Sequence, residues 1–174
     1  MPRPHYLTVL DRSGLLTALA RFDPHVAGTP PLGLDLPGSD IDVICQATDA
    51  EAFTKTLWDF ASPFDGFTIH QWTNDGRPVV ASFHLDGWPV EVFGDPRPVA
   101  GQPGLRHFEI ERRLLALGGH GLRAAVMQCR REGLKTEPAF ARVLGLEGDP
   151  YAALLALEQM PDADVVRMLN ACLT

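Results

Sequence analysis

The sequence lacks any hydrophobic run that could cross a membrane, and it has only three cysteines among 174 residues. A spanning helix needs about 20 mostly apolar residues, so we expect no membrane partner. The first five residues also lack the apolar stretch of a secretory signal. Cys45, Cys129 and Cys172 are odd in number and lie in apolar sequence, which predicts buried free thiols and a cytoplasmic location.

The chain also has fewer basic than acidic residues. The chain has 15 Lys and Arg residues against 22 Asp and Glu residues, for a net charge of −7. A nonspecific duplex-binding protein needs a basic face that neutralises phosphates, so we expect no duplex DNA partner. The 45% apolar and 21% charged composition is instead typical of a globular domain with a substantial core.

The hydrophobic pattern predicts an α/β (α+β) core over residues 1–100 and a helical C-terminal segment, residues 101–174, packed on it. The helices are predicted at 10–22, 49–60, 105–117, 122–132, 138–144, 151–158 and 163–172, and the strands at 25–27, 41–46, 67–72, 78–85 and 88–93. Residues 30–38 hold three prolines and two glycines, which favours a turn or a very short helix. Asn74-Asp75-Gly76 and Asp86-Gly87 are typical of hairpin turns.

Two carboxylates open the second predicted strand. Asp40 and Asp42 are two residues apart, so on a strand they point to one face, about 6.5–7 Å apart along the chain. Carboxylates placed in this way can share divalent cations, and metal ions about 3.5–4 Å apart serve in-line phosphoryl transfer. The opposite face of this strand is apolar and is expected to be buried.

Glu91 lies inside an otherwise apolar predicted strand. A charge buried alone costs several kcal/mol, so we expect a partner, either an arginine or a metal ion shared with Asp40 and Asp42. If Asp86-Gly87 is a two-residue turn, Glu91 lies opposite Ser82. A third carboxylate would complete an all-oxygen site suited to Mg²⁺ or Mn²⁺. The alternative is that Glu91 simply faces solvent.

Gly28-Thr29 precedes the acidic strand by about a dozen residues. A glycine allows the backbone to approach a phosphate closely, and a hydroxyl can donate to it. Thr29 is followed by Pro30-Pro31, and each proline removes a backbone donor.

Gly28-Thr29, then Gly38-Ser39-Asp40-Ile41-Asp42-Val43, then Glu91, resemble the signature of polymerase-beta-type nucleotidyltransferases. That signature is a Gly-Ser or similar turn, an Asp-x-Asp/Glu strand about 8–13 residues later, and an acidic residue on a neighbouring strand. The resemblance covers residues 25–93. The wider pattern also resembles a small bacterial family known only as a domain of unknown function, which is placed among the nucleotidyltransferase-like folds.

The resemblance implies a nucleotidyltransferase-like mixed sheet with flanking helices. It implies that Asp40 and Asp42 hold magnesium, and that Glu91 binds the catalytic metal or activates the attacking hydroxyl. It also implies that Gly28, Thr29 and Ser39 bind the phosphates of a nucleoside triphosphate.

Arg106, Lys135 and Thr136 are further candidates for binding the nucleotide. Lys135 and Thr136 precede a predicted helix and can grip a triphosphate, or Thr136 merely caps that helix while Lys135 is solvated. Arg106 either faces the active cleft or lies on a helix surface.

The expected activity is metal-dependent transfer of a nucleoside monophosphate from an ATP-like triphosphate to a hydroxyl of a small-molecule, protein or RNA acceptor. The alternative is an inactive nucleotide-binding or partner-binding module with the same fold.

Overall fold

The computed structural model describes residues 3–73 and 76–173. The chain divides into two compact units, the first Met1–Pro31 with Pro37–Leu105 and the second Leu32–Leu36 with Arg106–Thr174. The sequence pattern predicts a division between residues 100 and 101, and it does not indicate that Leu32–Leu36 groups with the second unit. The hairpin turn expected at Asn74-Asp75-Gly76 lies mostly outside the described residues.

A five-stranded mixed sheet organises the first unit. Its strands are β1 (His25–Ala27), β2 (Ile41–Gln46), β3 (Thr68–Gln71), β4 (Val79–Leu85) and β5 (Trp88–Asp95). They lie in the order β1-β2-β5-β4-β3. Strands β2 and β5 are parallel, and the other neighbouring pairs are antiparallel. The α/β class and the mixed sheet predicted from the sequence are confirmed.

The helices of this region are α1 (Tyr6–Ser13), α2 (Leu15–Ala18), α3 (Thr29–Leu32) and α4 (Ala50–Ala61). The prediction of a single helix over residues 10–22 was wrong, because Gly14 adopts a left-handed conformation with φ 71° and ends α1. The short helix expected among the prolines is α3. Asp49 caps α4 by accepting from the Ala52 amide at 2.9 Å.

Helix α4 covers one face of the sheet. Ile41, Val43 and Cys45 on this face pack in one buried cluster with Phe53 and Leu57 of α4. The fit is close, since a Cβ added at Gly94 of β5 would lie 2.2 Å from the Phe53 ring. The buried face predicted for β2 is therefore confirmed, and the alternate residues of β2 and β5 point to the opposite face.

The second unit is helical and contains most of α5 (Pro103–Arg131), with α6 (Thr136–Leu144), α7 (Pro150–Leu155) and α8 (Asp162–Cys172). The two helices predicted at 105–117 and 122–132 join across a break at Gly119, whose φ of 59° and ψ of −146° are not helical. No helix in the described ranges is both long and apolar enough to span a bilayer.

Two arginines of α5 explain why Leu32–Leu36 belongs to the second unit. Arg123 donates to the Leu32 carbonyl oxygen, and the Arg130 Nε donates to the Leu34 carbonyl oxygen at 3.1 Å. The side chains of Leu32 and Leu34 are buried in the helical core. A segment that is short of regular structure is thus held by charge-assisted bonds and apolar burial together.

All three cysteines are free thiols. Cys45 and Cys129 are buried as predicted, and burial raises the pKa of the Cys45 thiol to about 12. Cys172 is exposed, so its predicted burial was wrong. It lies in the final turn of α8, beyond the last residue of that helix that packs into the core.

Glu111 on α5 is a carboxyl group inside the second unit, only 5% exposed. Its Oε1 has no hydrogen-bond partner among the described atoms. Burial, and then the charge of Glu137, raise the pKa of Glu111 to about 8, against a smaller opposing effect of Arg130. The group is therefore mostly protonated at neutral pH in the folded chain.

We predict that Glu111→Gln makes the protein more stable at alkaline pH. Because folding raises this pKa from 4.5 to about 8, the unfolded chain loses the proton first, and stability falls as pH rises through that window. Gln stays neutral, so its advantage should grow between about pH 5 and about pH 9, towards a few kcal/mol. Urea unfolding at several pH values measures it.

Glu109→Gln is the matched control, because Glu109 is exposed on the same helix and pairs with Arg112. Its unfolding free energy should follow the wild-type pH dependence. Parallel pH curves for the wild type and Glu111→Gln would contradict the prediction.

Candidate functional site

The face of the sheet opposite α4 carries two carboxylates side by side. Asp42 on β2 is in direct register with Glu91 on the parallel strand β5. Residues in register lie on one face, and neighbouring strands are about 4.8 Å apart. Asp42 is half-buried and Glu91 is exposed. Glu91 is also in register with Ser82 of β4, as the Asp86-Gly87 turn predicts.

Asp40 interacts electrostatically with Glu91. It is exposed and immediately precedes β2. Desolvation, followed by the negative charge of Asp40, raises the pKa of Glu91, while His70 acts in the opposite direction. The Asp40 carboxylate is therefore close enough to Glu91 for their charges to interact, and no arginine is among the groups that shift the Glu91 pKa.

Gly28 holds the backbone against the Asp42 carboxylate. Its φ is +76°, and an added Cβ would lie 2.2 Å from Oδ2 of Asp42 and 3.1 Å from Cγ. Ala27, the last residue of β1, is in register with Asp42. A side chain at position 28 would clash with this carboxylate, so glycine is required for both conformation and space.

Thr29 begins α3 immediately after this glycine. Its Oγ1 is buried and has no hydrogen-bond partner among the described atoms. A hydroxyl beside a carboxylate site, with its donor capacity unused, is suited to an oxygen-rich ligand. Ser39, the other hydroxyl predicted here, has its backbone oxygen bound by Arg3 Nη1 at 2.8 Å.

The remaining predicted nucleotide contacts belong to the second unit. Arg106 makes a two-pronged ion pair with Glu158, with N–O distances of 2.9 and 2.6 Å. The Thr136 hydroxyl accepts from Arg130. Lys135, not Thr136, is the N-cap residue of α6, so the capping alternative for Thr136 was wrong. Nucleotide binding by Arg106, Lys135 and Thr136 stays a prediction.

Three ring side chains that the sequence did not single out lie on the same face of the sheet as Glu91: His70, Trp72 and Phe93. His70 of β3 is in register with Val80 of β4, which is in register with Phe93 of β5. Phe93 is in turn in register with Ile44, which shares the face of Asp42, so all these side chains point to one face of the sheet. Trp72 follows β3 and contacts Phe93 edge to face at 5.7 Å. His70 shares the face of Glu91 because of the way β3 and β4 pair. This pairing cannot be read from the local sequence of β3.

The donor chemistry of the site suits a hard cation. Across residues 3–73 and 76–173, no group of three or more His, Cys, Asp or Glu side chains is arranged to hold a metal ion. Mg²⁺ is usually bound by one or two carboxylates together with substrate phosphates and water. Asp42 and Glu91, with Asp40 beside them, match that partial protein contribution.

Solved structures with a similar fold include a poly(U) polymerase and an RNA terminal U-transferase. A Cid1 poly(U) polymerase structure with MgGTP bound matches with a TM-score of 0.60 and 13% identity, over 80% of this chain and 48% of that chain. The GLD-2/RNP-8 complex matches with a TM-score of 0.53 and 11% identity, over 89% and 58%. A cytoplasmic RNA terminal U-transferase matches with a TM-score of 0.51 and 14% identity, over 85% and 43%.

This chain thus spans about half the length of these structures, and at such identities the likeness concerns the fold. The fold, a mixed sheet with flanking helices and a helical C-terminal part, is similar to nucleotidyltransferase folds. No curated protein matches the sequence significantly. The model of one family, described as a domain of unknown function (DUF4269), matches residues 8–157. This chain belongs to that family.

Proposed function

We propose that this protein is a metal-dependent nucleotidyltransferase. It would move a nucleoside monophosphate from an ATP-like triphosphate to a hydroxyl group of an acceptor. The observation that carries the proposal is the register of Asp42 with Glu91 on one face of the sheet, with the Gly28 backbone against the Asp42 carboxylate. The nucleotidyltransferase fold supports it.

The triphosphate would bind on the β1 side of the carboxylates. Gly28 allows close backbone approach there, and the unpartnered Thr29 hydroxyl would donate to a phosphate oxygen. Ser39 lies just before the acidic strand and would add a further contact. Phosphate binding by Arg106, Lys135 and Thr136 of the second unit is proposed from the sequence alone.

Asp40, Asp42 and Glu91 would hold Mg²⁺ or Mn²⁺, which in such sites neutralises phosphate charge and favours ionisation of a bound hydroxyl. The acceptor oxygen would attack the α-phosphorus, the bond to the β-phosphate would break, and pyrophosphate would leave. Glu91 is the proposed proton acceptor. Its raised pKa brings it nearer to neutral pH, where a general base works best.

The second candidate is a nucleotide-binding or partner-binding module without catalysis. Two observations favour it: Pro30-Pro31 lack amide donors after the phosphate turn, and Arg106 is already paired with Glu158. Calorimetry with ATP and magnesium separates the candidates. Binding accompanied by pyrophosphate release supports the enzyme, whereas binding without release supports the module.

We predict that a nucleoside triphosphate with Mg²⁺ raises the melting temperature, because a ligand that binds only the folded state stabilises it. Asp42→Asn should remove the magnesium-dependent part of this rise. It should also reduce transfer on the order of 100-fold or more, as expected for a lost transition-state charge contact. Thermal denaturation and pyrophosphate release are the measurements.

Asp59→Asn is the control for this substitution. Asp59 is an exposed carboxylate on α4 that pairs with Lys55, and α4 covers the opposite face of the sheet. This variant should keep both the stabilisation and the activity. Full magnesium-dependent activity in Asp42→Asn would rule out the proposed site.

The rate should fall on acidification as Glu91 becomes protonated. The charge of Asp40 helps to raise the Glu91 pKa. Asp40→Asn should therefore move the acidic limb of the pH profile of kcat/KM to lower pH, even if the maximum rate of this variant is reduced. Glu91→Gln should abolish that limb in any residual activity. An unchanged limb in both variants would assign the proton step to another group.

Gly28→Ala tests the contact between the turn and the carboxylate. The added Cβ would displace Asp42, so both the activity and the magnesium-dependent stabilisation should be lost. Gly38→Ala is matched to it, since Gly38 also has a positive φ, 93°, but an added Cβ there meets no atom within 4 Å. Both variants should lose about 1–2 kcal/mol to backbone strain. Equal loss of activity in the two would contradict the specific role of Gly28.

A further inference from the structure

An exposed tryptophan lies beside the acidic pair, on the same face of the sheet. Trp72 is 42% exposed, although a large aromatic side chain usually has most of its surface buried. Its ring contacts Phe93 edge to face, with centroids 5.7 Å apart and planes at 74°. Its Nε1–H donates to Nε2 of His70 at 3.0 Å. The ring is therefore held in one orientation while much of it remains in solvent.

This aromatic pair borders the proposed catalytic carboxylate. Phe93 is two residues after Glu91 on β5, so the two side chains share a face and are about 7 Å apart along the strand. His70 accepts from Trp72 as a neutral ring, and it lies close enough to Glu91 that a positive charge on this ring would lower the Glu91 pKa. Trp72, Phe93 and His70 thus form a continuous surface with Glu91.

The strand order places this surface away from the phosphate turn. Gly28 and Thr29 follow β1 at one edge of the sheet, and Trp72 follows β3 at the other edge. Asp42 and Glu91 lie on the strands between them. A triphosphate at the turn and a second molecule on the aromatic surface would therefore approach the carboxylates from opposite sides.

We propose that Trp72, oriented by Phe93 and His70, binds the nucleobase of the acceptor by stacking. A nucleoside carries its sugar hydroxyls next to its base, so a base on Trp72 directs a hydroxyl towards Glu91. A ring fixed in advance loses little conformational freedom on binding, which favours its use as an anchor. This inference rests on the proposed function and names its acceptor class.

The charge of the protein indicates which part of the acceptor is recognised. With a net charge of −7 and three carboxylates at the site, phosphate contacts contribute little to acceptor binding. Stacking requires only the flat face of a base and no positive charge. Acceptor affinity should therefore depend weakly on salt, unlike binding through neutralised phosphates.

The test measures acceptor binding without transfer. Adenosine and a short single-stranded oligoribonucleotide are titrated separately by calorimetry, with neither metal nor triphosphate present. Trp72→Ala should weaken binding about 10- to 100-fold, the usual effect of losing one base–aromatic stack. Trp72→Phe should restore most of the affinity, which a purely structural loss would not allow.

Trp58→Ala is the matched control. Trp58 is also exposed, at 56%, but it lies on α4, which covers the other face of the sheet. This variant should bind both probes as the wild type does. Equal affinity for adenosine and the oligonucleotide assigns recognition to one base, while Trp72-dependent binding of the oligonucleotide alone assigns it to a strand end; both support the inference.

The inference is overturned if neither probe binds, if Trp72→Ala binds as the wild type does, or if affinity falls steeply with salt. Base binding that depends on Trp72, without any pyrophosphate release, would support this surface and contradict the proposed activity. If pyrophosphate is released and the acceptor KM is unchanged in Trp72→Ala, the proposed activity is supported and the role of Trp72 is contradicted. The two failures are thus distinguishable.

Discussion

The parallel pairing of β2 with β5 is the constraint on which the site depends. This pairing alone places Asp42 beside Glu91, because the two residues are separated by 49 positions in the chain and meet only through strand register. A slip of one residue would turn one carboxylate into the apolar face that α4 covers. Burial of Ile41 and Val43 under Phe53 opposes such a slip. The core therefore holds the acidic pair in place.

The surroundings of Glu91 disfavour its negative charge. Desolvation, and then the charge of Asp40, raise the pKa of Glu91 against a smaller opposing effect of His70, so the ionised form of this carboxylate is disfavoured. Replacing Asp40 or Glu91 by a neutral residue would remove this unfavourable interaction, so we expect the two carboxylates to be retained for a function. A perturbed carboxyl group such as Glu91, close to further carboxylates and to a turn with an unpartnered hydroxyl, Thr29 Oγ1, is characteristic of a ligand site.

The helical unit has a separate polar centre that the sequence pattern did not reveal. His107 and Glu111 are one turn apart on α5, both are buried, and each has a side-chain atom without a hydrogen-bond partner among the described residues. Burial lowers the pKa of His107 and raises that of Glu111, so both tend towards the neutral form. Neutralisation makes such burial tolerable in an otherwise apolar helical core.

The sequence by itself determined the features that depend on local pattern. Apolar runs identified β2 and β5, and a turn dipeptide predicted the register of Glu91 with Ser82. Proline and glycine content limited the segment after Gly28 to a turn or a very short helix, and the structure has the short helix α3 there. Tertiary structure decided what depends on distant pairing: the strand order, the pairing of Arg106 with Glu158, and the surface of Trp72 beside Glu91. The physical reason is that periodicity records which side of its own element a residue occupies, whereas contacts between elements arise from packing that no single segment encodes.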